Sequence, residues 1–203
     1  MKTEHKLAAA LFQLLIIGLF SSCVSTGKYH YADNNLLEHT DFAGENITVQ
    51  IHKVFGHWYH ASIKITLDSD EIIEKYGIDE RNIYTDTNGI KYMTLGAGPN
   101  NLLFNRRLKA EFNRPRDINE RIKVETYDFI STEGDIVEKI EKILDAFKAY
   151  SNALRYSFFP EKSKNKFNSN SFISGLLYSA GLEAPKFSNK YKMPGYNRPV
   201  PLP

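Results

Sequence analysis

The chain has 203 residues, 42% of them hydrophobic and 13% aromatic, and its 26 basic and 24 acidic residues leave a net charge of +2. That length buries one core well and is short for two. Balanced, interspersed charge gives no basic stripe for nucleic acid and reads as an ordinary solvated surface.

The N-terminus, MKTEHKLAAALFQLLIIGLFSSC, has a basic start at Lys2 and Lys6 and then a mostly apolar run from Leu7 to Phe20. The run is short for a membrane span of about 30 Å and suits a signal-peptide core. Phe20-Ser21-Ser22-Cys23 resembles the lipobox of a bacterial lipoprotein signal, with Phe20 where that signal usually has leucine. The resemblance implies a signal peptide over 1–22, a diacylglycerol on the Cys23 thiol, and anchoring in the bacterial cell envelope. Each buried acyl CH₂ adds about 0.8 kcal/mol of membrane affinity. Val24 after the cysteine favours the outer membrane under the usual sorting rule. The other reading is a plain secretory signal with a chance cysteine. Cys23 is the single cysteine in the chain, so the folded part has no disulfide, thiolate metal site or cysteine nucleophile.

Residues 24–45 are polar and aperiodic, so 23–45 reads as a lipidated tether, with a helical turn near Asn34–His39, and 46–203 as the folded domain. Alternation predicts strands over Asn46–Phe55 and Trp58–Leu67, joined by a tight Gly56-His57 turn. Ala61, Ile63, Ile65 and Leu67 fall on one face of the second strand, and His60, Ser62, Lys64 and Thr66 on the other. A third strand, Ile90–Pro99, is expected to end in a glycine-rich turn. Asn101–Leu108 reads as a short fourth strand and Arg121–Ile130 as another. A helix capped by Ser131 or Thr132 carries Ile136, Ile140, Ile143, Leu144 and Phe147 at helical spacing. A second helix, NSFISGLLYSAG, ends at Gly181, and the proline-rich tail is expected to lie extended along the surface. Strands followed by helices give an α+β fold, an antiparallel sheet with helices packed on it.

Metal and cofactor chemistry find little purchase. His52, His57 and His60 are close in sequence, but His57 and His60 differ in strand parity and no H-E-x-x-H spacing accompanies them. LGAGPN lacks the pattern of a dinucleotide or phosphate loop and reads as a turn. No metal and no cofactor is assigned. More informative is a strand histidine, His60, followed much later by FNSNSF at a helix start. A helix N-terminus offers free N–H groups and partial positive charge, which stabilise an oxyanion, while a strand holds an imidazole as general base. The same Asn-Ser cluster also reads simply as a helix cap worth about 1 kcal/mol.

HASIKI followed by NSNSFISGLLYSAGL resembles the circularly permuted papain-like domains of the NlpC/P60-related and lecithin:retinol-acyltransferase-like group, including bacterial and toxin-associated members with an NSNSF motif. The resemblance covers about 46–203. It implies a permuted papain-like fold with His60 as base and Ser169 at the position of the nucleophilic cysteine. Ser171 is the second-choice nucleophile, and the N–H groups of Ser169 and Asn170 form the oxyanion site. Thr94 and Asn100 are candidates for the third, orienting group. The implied activity is amide or ester hydrolysis or acyl transfer, on peptidoglycan peptides given an envelope location. Partners would be the membrane, through the lipid anchor, and peptidoglycan or a peptide, with no nucleic acid. Serine departs from the family pattern. A thiol ionises near pH 8.5 and a helix end lowers that further, whereas a hydroxyl needs a base during attack. The alternative function is an inactive envelope domain that binds a peptide or glycan.

Overall fold

The computed structural model describes residues 44–101, 106–129, 135–162 and 165–202. The expected signal peptide, Cys23 and the expected tether as far as residue 43 lie outside the described residues. So do the Ser131/Thr132 cap and most of the expected strand at Asn101–Leu108.

Alternating side chains build β1 (Asn46–Phe55) and β2 (Trp58–Leu67), an antiparallel hairpin turned by Gly56 at a φ of 53°. The chain then forms α1 (Glu71–Tyr76), which the strand-rich reading did not anticipate, and β3 (Tyr84–Thr85). Next come β4 (Lys91–Pro99), β5 (Leu108–Phe112) and β6 (Lys123–Phe129). The long amphipathic helix is α2 (Asp135–Ala149). A small parallel pair, β7 (Arg155–Tyr156) and β8 (Lys166–Phe167), leads into α3 (Ser169–Ser179). The described strands give an antiparallel six-stranded sheet in the order β3-β4-β2-β1-β6, with β5 also paired to β4, and three helices pack on it. The fold is α+β.

One face of the sheet is aliphatic. Ile47, Val49, Ala61, Ile63, Ile65, Met93 and Leu95 are fully buried against Ile140, Ile143 and Leu144 of α2 and Phe172, Ile173, Leu176 and Leu177 of α3. At about 25 cal/mol per Å² of apolar area, this contact dominates stability. The other face buries polar groups: Thr48, Gln50, His52, His60, Ser62 and Thr94.

Two expectations change here. Gly96 and Gly98 are not in a turn but in the body of β4, paired with Glu111 and Lys109 of β5. The tail is not a surface strap either. Tyr196 and Val200 are buried, and Val200 N–H donates to the Ser171 carbonyl at 2.9 Å. Gly175, in mid-helix where glycine is unfavourable, explains the path: a Cβ there would stand 2.7 Å from the Val200 carbonyl oxygen.

Candidate functional site

Strands β2 and β4 pair only along Ile63–Leu67 and Lys91–Leu95. Beyond that they part, and the first turn of α3 fills the gap. The Asn170 amide accepts the Ala61 N–H at 2.8 Å and donates to the Tyr59 carbonyl at 3.1 Å, taking the place of a neighbouring strand. Its second acceptor is the Pro194 carbonyl at 3.2 Å. Just before, Lys192 closes the same edge, receiving Tyr59 N–H at 3.0 Å and donating to His57. The turn that carries Ser169 is thus clamped to the backbone on both sides of His60.

Asn168 caps α3. Its Oδ1 accepts the Ser171 N–H at 3.0 Å and its backbone carbonyl accepts the Phe172 N–H. Among the described residues the N–H groups of Ser169 and Asn170, the first two of the helix, have no backbone acceptor, since helix geometry gives them none within the helix. Ser171 is fully buried, and its hydroxyl donates to the Gly195 carbonyl at 3.1 Å. Ser169 is about 9% exposed, at the rim of the core.

His60 projects from the polar face, and its Nε2 lies 2.6 Å from Asp117 Oδ1, with both side chains buried. A carboxylate only accepts, so it fixes the hydrogen on Nε2 and leaves Nδ1 with a free lone pair, the form a general base needs. Asp117 reaches His60 because the loop Asn113–Ile122 crosses the sheet over glycine. A Cβ on Gly96 would stand 1.8 Å from Asp117 Oδ2, and one on Gly98 2.2 Å from Arg114 Nη1. The loop is pinned by Asn113, at a left-handed φ of 46°, whose Oδ1 accepts the Thr94 N–H at 2.7 Å.

His52 faces His60 directly across the hairpin, with ring centroids 6.3 Å apart. Its Nε2 lies 3.1 Å from Ser62 Oγ, and its Nδ1 is buried without a partner. Burial, reinforced by His60, pushes the His52 pKa down to about 4, so this ring stays neutral.

The structure therefore holds Asn170, and with it the helix turn of Ser169 and Ser171, to the backbone on either side of His60. Among the described residues no hydrogen bond joins His60 to either serine; its bond goes to Asp117. The residues considered for the orienting group are engaged elsewhere: Thr94 with Asn113, and Asn100 with the Arg107 N–H at 2.9 Å. Asp117 was not singled out in the sequence, although two glycines on one face of a strand mark a close backbone or side-chain approach. No protein-family model, curated protein or solved structure matches the chain.

Proposed function

We propose that this chain is the permuted papain-like domain of a bacterial cell-envelope lipoprotein that cleaves or transfers acyl groups at amide or ester bonds, with peptidoglycan stem peptides as the substrate class. The observation that carries the reading is the junction of a buried His60–Asp117 pair with the helix mouth that Asn170 clamps to the backbone of residues 59 and 61.

The steps follow from the groups present. Ser169 Oγ attacks the substrate carbonyl carbon while His60 Nδ1 takes the hydroxyl proton. Asp117 holds the ring in the required tautomer and balances the imidazolium that forms. The negative charge on the carbonyl oxygen meets the N–H groups of Ser169 and Asn170. His60 then returns the proton to the leaving amine or alcohol as the C–N or C–O bond breaks. Water, or an acceptor nucleophile, releases the acyl group from Ser169 by the same route. Closure of the Ser169–His60 contact accompanies substrate binding, as catalytic hydrogen bonds often tighten only in the complex.

The test is turnover of cell-wall fragments and of activated acyl esters by the full chain. Ser169→Ala, His60→Ala and Asp117→Asn are each expected to lower kcat by at least about 10³-fold. Unchanged turnover in both Ser169→Ala and His60→Ala refutes the assignment. The missing hydrogen bond between His60 and the serines favours a second reading, a non-catalytic domain that binds peptide or glycan in the same place. That reading predicts saturable binding of cell-wall fragments, no turnover, and little change on Ser169→Ala.

A further inference from the structure

The loop that delivers Asp117 also carries two arginines. The Arg114 guanidinium lies against Gly98, its Nη1, Nη2 and Cζ all within 2.5 Å of the place a Cβ would occupy. Arg114 Nη1 is buried and has no hydrogen-bond partner. Arg116 is partly buried; desolvation first, and the charge of Arg114 after Asp117's opposing pull, act on its pKa, which is lowered overall. Neither guanidinium forms an ion pair with a carboxylate among the described residues; the nearest acidic influence, Asp117, already holds His60.

The Arg114 side chain also lies beside the dyad. A Cβ on Gly96 would stand 1.8 Å from Asp117 Oδ2 and 3.3 Å from Arg114 Cδ. The loop thus sets a cation next to the His60–Asp117 pair. Desolvated cations are ordinarily paired, and a planar guanidinium matches a two-oxygen anion in a way an ammonium does not.

We propose that Arg114, with Arg116 two residues on in the same loop, forms a subsite for an oxyanion that the substrate supplies as a carboxylate close to the bond attacked. This rests on the hydrolase reading above for its position but not for its binding chemistry. The reaction's preferred substrates would then be peptides or acyl amino acids with a free carboxylate next to the cleaved bond.

The test needs no turnover. The full chain is titrated with N-acetyl-alanine, its uncharged amide, and inorganic phosphate, following the arginine side-chain N–H signals by NMR. The acid is expected to shift Arg114 and Arg116 saturably, and the amide to bind at least tenfold more weakly. Arg114→Gln and Arg116→Gln are each expected to weaken the acid by about tenfold, while Ser169→Ala leaves it unchanged. Arg114→Lys, which keeps charge and bulk over Gly98, guards against a misfolded variant and is expected to bind at intermediate strength. Equal binding of acid and amide overturns the proposal, as does binding of phosphate without the acid, or no effect of either glutamine variant. Acid binding that survives alongside unchanged turnover in Ser169→Ala would retain the subsite and discard the catalysis.

Discussion

Gly96→Ala isolates the feature on which the His60–Asp117 pair depends. The added carbon would sit 1.8 Å from Asp117 Oδ2 and 2.9 Å from its Cγ, with the Arg114 side chain 3.3 Å away. Side-chain carbons do not approach closer than 3.0 Å, so the carboxylate must retreat by about 1.2 Å. Half of that movement along the bond stretches 2.6 Å to about 3.2 Å, the outer edge of useful geometry. Losing a buried, charge-assisted hydrogen bond costs about 1.5–3 kcal/mol, and crowding a packed site about 1–3 kcal/mol more. Urea unfolding of the full chain should therefore show a loss of about 3–5 kcal/mol. The ring-nitrogen NMR signals of His60 should also change as the preference for the Nε2–H tautomer relaxes. Gly98→Ala is the control: the obstructing atoms belong to the far end of a flexible arginine, so the loss should stay near 1 kcal/mol and His60 should be undisturbed. A Gly96→Ala protein that loses less than about 1 kcal/mol and keeps the native His60 signals would show that the close approach does not hold the pair.

Three further outcomes follow from the same geometry. Asn170→Ala strands the Ala61 N–H and the Tyr59 and Pro194 carbonyls, so calorimetry or urea titration should show a loss of about 3 kcal/mol. Asn168→Ala removes the α3 cap and its bond to the Pro194 carbonyl, for about 2 kcal/mol, measured the same way. His52, with a pKa lowered from 6.5 to about 4, resists protonation in the folded state but not in the unfolded one. Stability should be complete above pH 6.5 and fall by about 3 kcal/mol as pH drops toward 4. His52→Gln should flatten that slope in urea midpoints taken across the range.

The hairpin was legible because β1 and β2 alternate cleanly, and the polar and aliphatic faces of β2 could be separated residue by residue. The last helix was legible from its Asn-Ser start and Gly181. Asp117 was not, because a lone acid in a loop carries no period and its partner lies 57 positions away. Its trace in the sequence was indirect, in Gly96 and Gly98, where alternating glycines resemble turn punctuation until the strand is seen to run through them. The tail was misread for a similar reason. Proline-rich composition describes backbone stiffness, while burial was decided by Tyr196, Val200 and the notch at Gly175. For Ser169, residue type gave a cap and a nucleophile equal standing; the clamp by Asn170 ties that turn to the backbone of Tyr59 and Ala61, which composition alone does not reveal.

The contacts of residues 192–200 with the α3 mouth form its outer seal. Pro194, Gly195 and Val200 receive or donate hydrogen bonds at Asn168, Asn170 and Ser171, and they follow every described strand and helix. Asn170 already joins the same turn to the hairpin through Tyr59 and Ala61, so the tail locks a turn that the sheet has placed. Loosening the tail would therefore be felt first at Asn168, Asn170 and Ser171, and only afterwards in the sheet.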